Sequence, residues 1–280
     1  MTKPTLILID CTDALGLVAL ISNIIASHKL NIVAMREFVD EDANKFFARI
    51  VCHGDLLDQQ SLEKDLQALL PSAATILVNP TQKKRLVVLV TKEHHCLADI
   101  LVRDNFETLG AEVSAVIGNY QDLAPFTEKF GIPFHHISHI EKSKEDFEQE
   151  IIQQIDAYQP DYIILAKYMR ILSPAFVAHF KGKIINIHHS FLPAFIGANP
   201  YKQAHTRGVK IIGATAHFVT DDLDEGPIIT QDVRRVNHTF TVKDMVTAGK
   251  EVEKAVLSKA LQFVIEDRVL IHGNRTIVFE

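Results

Sequence analysis

The stretch Ile184 to Ile229, IINIHHSFLPAFIGANPYKQAHTRGVKIIGATAHFVTDDLDEGPII, holds three groups that could act together on a carbonyl carbon. Asn186 offers an amide, His188 an imidazole two residues on, and Asp224 a carboxylate in an acidic loop closed by Gly226 and Pro227. An amide can donate to a developing oxyanion, an imidazole can carry a proton, and an anion can orient or charge it, all without a metal. Each also has an ordinary structural reading: a turn residue, a satisfied strand-end histidine, and one of several carboxylates in a solvated loop. Position decides between these readings, and position depends on the surrounding elements.

Thr5 to Cys11 (TLILIDC) reads as a strand, followed by a helix with Leu17, Leu20, Ile21, Ile24 and Ile25 on one face. Ile32 to Phe38 and Phe46 to Cys52 are strand-like about a polar loop, Asp40 to Asn44. Ser61 opens a helix carrying Leu62, Leu66, Leu69 and Leu70, and Thr75 to Val78 returns as a strand. The order βαββαβ predicts a small ferredoxin-like α+β module with an antiparallel sheet over residues 1–80. Asn79 to Arg85 (NPTQKKR) breaks the pattern and marks a boundary, with a second domain over 81–280.

Leu86 to Val90 (LVVLV) is continuously apolar, as a strand buried on both faces of a parallel sheet would be. Strands at Glu112–Ile117, Phe134–Ile137, Tyr162–Ala166 and Ile184–Ile187 alternate with helices, one from about Cys96 to Asn105 and one ending at Gly131. Ser143 with Asp146 resembles a capping box, and Ser173-Pro174 reads as N-cap and N1 of a short helix. Two further strands, Ile211–Phe218 and Ile228–Arg235, precede a long helix from about Val242 with Val246, Val252, Val256, Leu261 and Val264 inward. This alternation predicts a Rossmann-like, mostly parallel α/β sheet, with ligands at the carboxyl ends of strands, where Asn186 and His188 fall.

The chain of 280 residues is 47% hydrophobic with a net charge of −6, which speaks against a nucleic-acid surface. The one basic run, Lys83 to Arg85, reads as a linker. No apolar segment reaches the roughly 18 residues that span a bilayer, and Met1 to Pro4 leads straight into a strand, so a cytoplasmic protein without membrane partners is expected. Cys11, Cys52 and Cys96 are odd in number and lack a CxxC pair, against both a disulfide framework and a zinc ribbon.

Fourteen histidines, with adjacent pairs at His94-His95, His135-His136 and His188-His189, invite a metal reading. Neighbours on a strand point to opposite faces and no HExxH helix occurs, so no catalytic metal is expected, and His135, His136 and His139 read as loop or surface residues. The turn after the first strand of the larger domain, Thr91 to His95, has no glycine and carries a carboxylate, which argues against a dinucleotide cofactor. No GxSxG elbow surrounds Ser190, so nothing marks it as a nucleophile.

Two motifs in order, NIHHSFLPAF (Asn186 to Phe195) and HFVTDDLDEGPII (His217 to Ile229), with YMRILSP (Tyr168 to Pro174) as a third, resemble the formyltransferase fold that uses 10-formyltetrahydrofolate. The resemblance covers about Arg85 to Glu280. It implies that Asn186, His188 and Asp224 are the catalytic trio. It also implies that Met169, Arg170, Ile171 and Leu172, with the loop Thr220, Asp221, Asp222 and Leu223, receive the pterin ring. In the N-terminal module, DALGLVALIS (Asp13 to Ser22) resembles the first loop and helix of ACT domains, although Leu15 stands where a proline is usual.

Members of this fold family differ in the formyl acceptor: a ribonucleotide amine, an aminoacyl-tRNA, a sugar amine, or water. The purine-pathway transferase has a glycine- and serine-containing phosphate loop where this chain has Thr91 to His95, and the transfer-RNA enzyme needs a further RNA-binding domain. An ACT-like module joined to the fold, and His189 where transferases generally have proline, resemble the formyltetrahydrofolate deformylases. The resemblance implies hydrolysis of 10-formyltetrahydrofolate to tetrahydrofolate and formate, supplying formate for purine synthesis, with the folate as substrate and no cofactor. It also implies an amino-acid effector at the module and a homo-oligomer. The alternative is a formyltransferase with an unidentified amine acceptor.

Overall fold

A computed structural model describes residues 4–80, 83–194 and 200–280. Thr81 and Gln82, inside the expected boundary, and Phe195, the last residue of NIHHSFLPAF, lie outside the described residues. The chain divides into two compact units, Met1–Gln82 with Phe279–Glu280, and Lys83–Val278.

The first unit runs β1 (Thr5–Thr12), α1 (Leu17–Ser27), β2 (Asn31–Asp40), β3 (Lys45–His53), α2 (Gln59–Leu69) and β4 (Thr75–Val78). Its sheet has the order β2-β3-β1-β4 with every pairing antiparallel, the expected ferredoxin-like α+β module. Ile7, Ile9 and Cys11 alternate along β1 and are buried in one cluster with Ile21 and Ile25 of α1 and Leu62 and Leu66 of α2. Gly16 stands before α1 with φ 86°.

The first unit departs from the sequence pattern at three places. The second helix opens at Gln59 rather than Ser61, because Asp58 is the cap: its carboxylate accepts from the Ser61 backbone N–H at 3.1 Å. Leu69 is exposed, since the helix ends there and the extended backbone of Leu70 turns that side chain into the core instead. Leu20 lies at the margin of the apolar stripe of α1 and is also exposed.

The second unit contains β5 (Lys84–Val90), α3 (His95–Asn105), β6 (Ala111–Gly118), α4 (Ala124–Thr127), β7 (Phe134–His136), α5 (Lys144–Tyr158), β8 (Tyr162–Leu165) and α6 (Pro174–His179). It continues with β9 (Ile184–His188), α7 (Pro200–Arg207), β10 (Ile211–Phe218), β11 (Ile228–Arg235), α8 (Val242–Ile265), and the hairpin β12 (Val269–His272) and β13 (Arg275–Val278). The seven-stranded sheet has the order β11-β10-β9-β8-β5-β6-β7. Pairings from β9 to β7 are parallel, and β10 is antiparallel to both its neighbours.

β5 is buried on both faces, as its uninterrupted apolar run predicts. Leu86, Val88 and Val90 pack with Leu97 and Leu101 of α3 and Val256 and Leu261 of α8. Val87 and Leu89 pack on the other face with Phe147 and Ile151 of α5 and Phe176 of α6. Lys84 corrects the linker reading of the basic run: it is the first residue of β5, 4% exposed, and its ammonium lies 3.0 Å from Asp267. His135 is likewise not a free surface residue, since its Nε2 pairs with the Tyr158 hydroxyl at 2.7 Å.

Ser143 makes only half of a capping box, for its hydroxyl accepts from the Asp146 N–H while Asp146 returns to that hydroxyl and not to the backbone. The complete box caps α8, through Thr241 and Asp244. Neither α7 nor the terminal hairpin was expected. α7 (PYKQAHTR) has no apolar stripe, whereas Gly273 between two β-rich runs did signal a hairpin.

Candidate active site

Asn186 and His188 lie two apart on β9 and so share a face of the sheet. Across the antiparallel pairing, Asn186 stands opposite His217 and His188 opposite Thr215. Asp224 reaches the same place from the loop between β10 and β11, with φ 58°, a left-handed conformation that aspartate tolerates better than most residues. Gly226 lets this loop close, because a Cβ there would stand 1.8 Å from the Phe218 carbonyl oxygen. The Phe218 N–H then donates to the Pro227 carbonyl at 2.9 Å, holding the loop on the end of β10.

The tertiary fold thus brings the three groups together. Nδ1 of His188 lies 3.2 Å from Asp224 Oδ1. With that proton donated to the carboxylate, Nε2 carries the lone pair that can take a proton; it is buried and has no hydrogen-bond partner among the described residues. His188 is 6% exposed and Asn186 half-buried, so charges here are poorly screened.

His217, which motif spacing alone did not single out, is the fourth member. Its Nδ1 donates to the Phe218 carbonyl at 2.9 Å, which leaves Nε2 to accept from Asn186 Nδ2 at 3.2 Å. The bond orients the amide of Asn186 and leaves its second N–H available. Burial holds the His217 imidazole below its ordinary pKa, against the opposing pull of its backbone bond and of Asp224, so it serves as a neutral acceptor. For Asp224, burial pushes the carboxyl upward, but the hydrogen bond from His188 and the nearby histidines outweigh it, and the carboxyl sits below its ordinary range. Asp224 is therefore an anion at neutral pH.

These groups line a cavity of about 460 Å³. Its other walls come from the loop after β8, with Met169, Arg170, Ile171 and Leu172, and from Thr220, Asp221 and Leu223. Asp222, grouped with them on sequence, does not line the cavity; its carbonyl accepts from the Thr220 hydroxyl at 3.3 Å. The loop after β8 is tied down by the Met169 N–H, which donates to Thr91 Oγ1 at 2.9 Å. Met169, Ile171 and Leu223 are more than half exposed, an apolar rim of the kind a flat ring covers.

His189, just beyond β9, stacks on His188 with ring centroids 5.0 Å apart. Burial, with Lys167 and His188 nearby, pushes its pKa down to about 4. Among the described residues one group, His95, Cys96 and Glu253, has ligand atoms close enough together to hold a metal ion. The chemistry opposes it: burial raises the Cys96 thiol far above its ordinary value, and the Lys167 ammonium already lies 3.3 Å from the Glu253 carboxylate. All three cysteines are buried free thiols.

Residues 84–261 match the formyl transferase family model, a match that falls wholly within the second unit. A formyltetrahydrofolate deformylase of Escherichia coli O6:H1 is 54% identical over 268 residues, covering 96% of this chain and 95% of that protein. The chain belongs to the formyltetrahydrofolate deformylase family. The crystal structure of a formyltetrahydrofolate deformylase from Pseudomonas syringae aligns with a TM-score of 0.93 at 41% identity, over 99% of this chain and 94% of that one. Glycinamide ribonucleotide transformylase 1 from Symbiobacterium toebii aligns with a TM-score of 0.69 at 30% identity, over 72% of this chain and 96% of that one. The deformylase relatives thus span both units.

Proposed function

We propose that this chain hydrolyses 10-formyltetrahydrofolate to tetrahydrofolate and formate, through Asn186, His188 and Asp224. The observation that carries the reading is the convergence of these groups on one cavity: an amide with a spare N–H, an imidazole with a free Nε2, and an anion on its Nδ1. The near full-length deformylase relatives support water as the acceptor.

Water adds to the formyl carbon, and the carbonyl oxygen becomes an oxyanion that the free N–H of Asn186 stabilises. His188, held by Asp224, takes a proton from the attacking water and delivers it to N10. The C–N10 bond then breaks, releasing formate and the N–H of tetrahydrofolate. N10 bears an aryl ring and leaves more readily than an alkyl amine, so this step does not require a metal. The pterin ring lies between the segment Met169–Leu172 and the loop Thr220–Leu223, where the exposed apolar side chains lose their contact with water.

The test is formate release from 10-formyltetrahydrofolate with no amine added. Formate in stoichiometric yield supports hydrolysis; dependence on an added amine would instead identify a transferase. The N-terminal unit, with its ACT-like DALGLVALIS segment, is read as the seat of an amino-acid effector and of homo-oligomer contacts. Three buried free thiols and the lack, among the described residues, of a helix able to cross a membrane support a cytoplasmic setting.

A further inference from the structure

In an open α/β sheet, ligands enter at the carboxyl ends of the strands where the strand order reverses. That point lies here between β5 and β8, since β6 and β7 follow on one side and β9 on the other. His95 opens α3 just after β5, and Lys167 follows β8 with φ 62°. Tyr201 of α7 and Glu253 of α8 converge on the same place.

Both oxygens of Glu253 are used. Oε1 accepts from the Tyr201 hydroxyl at 2.6 Å, while Oε2 lies 2.7 Å from His95 Nε2 and 3.3 Å from Lys167 Nζ. Glu253 is 1% exposed and the other three at most 9%. Four polar side chains, from three helices and the turn after β8, are thus buried together around one carboxylate.

Gly249 gives a second, independent sign that the arrangement is built. It lies within α8, where glycine is the poorest helix former short of proline. A Cβ at this position would stand 2.1 Å from the Tyr201 ring and hydroxyl, so only glycine admits the tyrosine to Glu253.

The cluster borders the reactive groups. Lys167 lines the same cavity as His188, and the Tyr201 ring centroid is 6.3 Å from that of His189, which stacks on His188. An amine acceptor must bring its nitrogen to within about 3.5 Å of the formyl carbon while its remaining atoms find room nearby. On the β5–β8 side of the main cavity Lys167 forms part of the wall, and Glu253, His95 and Tyr201 occupy the space behind it.

We propose that His95, Lys167, Tyr201 and Glu253 form a plug in the ligand crevice of the sheet, which excludes primary amines and leaves water as the nucleophile. The proposal rests on the hydrolase reading and adds the residues that set its acceptor. Without the plug, an amine nitrogen would bond to the formyl carbon, the C–N10 bond would break, and the proton lost by the amine would pass to N10.

Full-length wild type and Tyr201→Ala are incubated with 10-formyltetrahydrofolate and increasing glycinamide, and both formate and N-formylglycinamide are measured. Wild type is expected to yield formate alone at every glycinamide concentration. Tyr201→Ala is expected to form N-formylglycinamide in proportion to glycinamide, at least 10-fold above wild type. Tyr201→Phe keeps the ring and is expected to remain hydrolytic, and His95→Ala carries the expectation if Tyr201→Ala does not fold. The plug is overturned if wild type formylates glycinamide, or if a folded Ala variant that releases formate makes no more formylated amine than wild type. Failure of wild type to release formate would instead refute the hydrolase reading, which separates the two failures.

Discussion

Replacing Asp224 by asparagine tests the site at the group whose charge matters most. Asparagine matches the size of aspartate and tolerates the left-handed backbone at φ 58°, so the loop closed by Gly226 is expected to keep its shape. What changes is the charge. The carboxylate oxygen lies 3.2 Å from His188 Nδ1, and the Asp224 side chain is 12% exposed. When His188 takes the water proton it becomes a cation, and a unit charge pair about 4 Å apart is worth about 4 kcal/mol at an effective dielectric constant near 20. At about 1.4 kcal/mol per tenfold in rate, Asp224→Asn is expected to lower kcat/KM by about 1000-fold. The fall should lie mainly in kcat, because the interaction strengthens only as the proton moves. The assay is formate release from 10-formyltetrahydrofolate, with circular dichroism to show that the variant is folded. A folded Asp224→Asn enzyme keeping more than a tenth of wild-type kcat/KM would refute the assignment.

Asn186→Ala removes the oxyanion donor and is expected to cost about 100- to 1000-fold in kcat with KM nearly unchanged; a rise in KM alone would contradict that role. Ile171→Ala trims the exposed rim and is expected to raise KM about 5-fold at constant kcat, as loss of about 1 kcal/mol of apolar contact would; an unchanged KM would remove Ile171 from the folate site. Acid is expected to destabilise the second unit in two windows. The His189 pKa, ordinarily 6.5, is about 4 in the fold, so the unfolded chain binds the extra proton and stability falls as pH drops from 6.5 to 4. Glu253 is held at about 2 against an ordinary 4.5: burial raises it, but the His95 bond, Lys167 and Tyr201 outweigh that, so its contribution is full above 4.5 and lost toward 2. Each gap of about 2.5 pH units corresponds to about 3 kcal/mol. The chain has no tryptophan, so urea unfolding is followed by circular dichroism, and a midpoint constant from pH 7 to 4.5 would contradict the His189 window.

The sequence by itself determined most of the elements, though not α7 or the hairpin of β12 and β13, and it put Asn186 and His188 on one strand. The uninterrupted apolar run Leu86–Val90 marks the part of β5 that is buried on both faces, and Ser173-Pro174 starts α6 where it reads as a start. The spacing Asn186–His188 puts both side chains on one face of β9 because strands repeat every two residues. Such signals are local, since each depends on neighbours along the chain. Only the tertiary structure could decide partners distant in sequence. His217 became the orienting partner of Asn186 through the register of β9 against β10, and a shift of one residue would have turned it to the other face. Lys84 reads as part of a solvated basic run until Asp267 is seen beside it. Glu253 looks like one more charge on a long helix, and His95 like half of a histidine pair. The crossing of the chain at β5 and β8, with α8 packed over that point, buries them together and makes their mutual hydrogen bonds necessary, because a charge removed from water needs a partner.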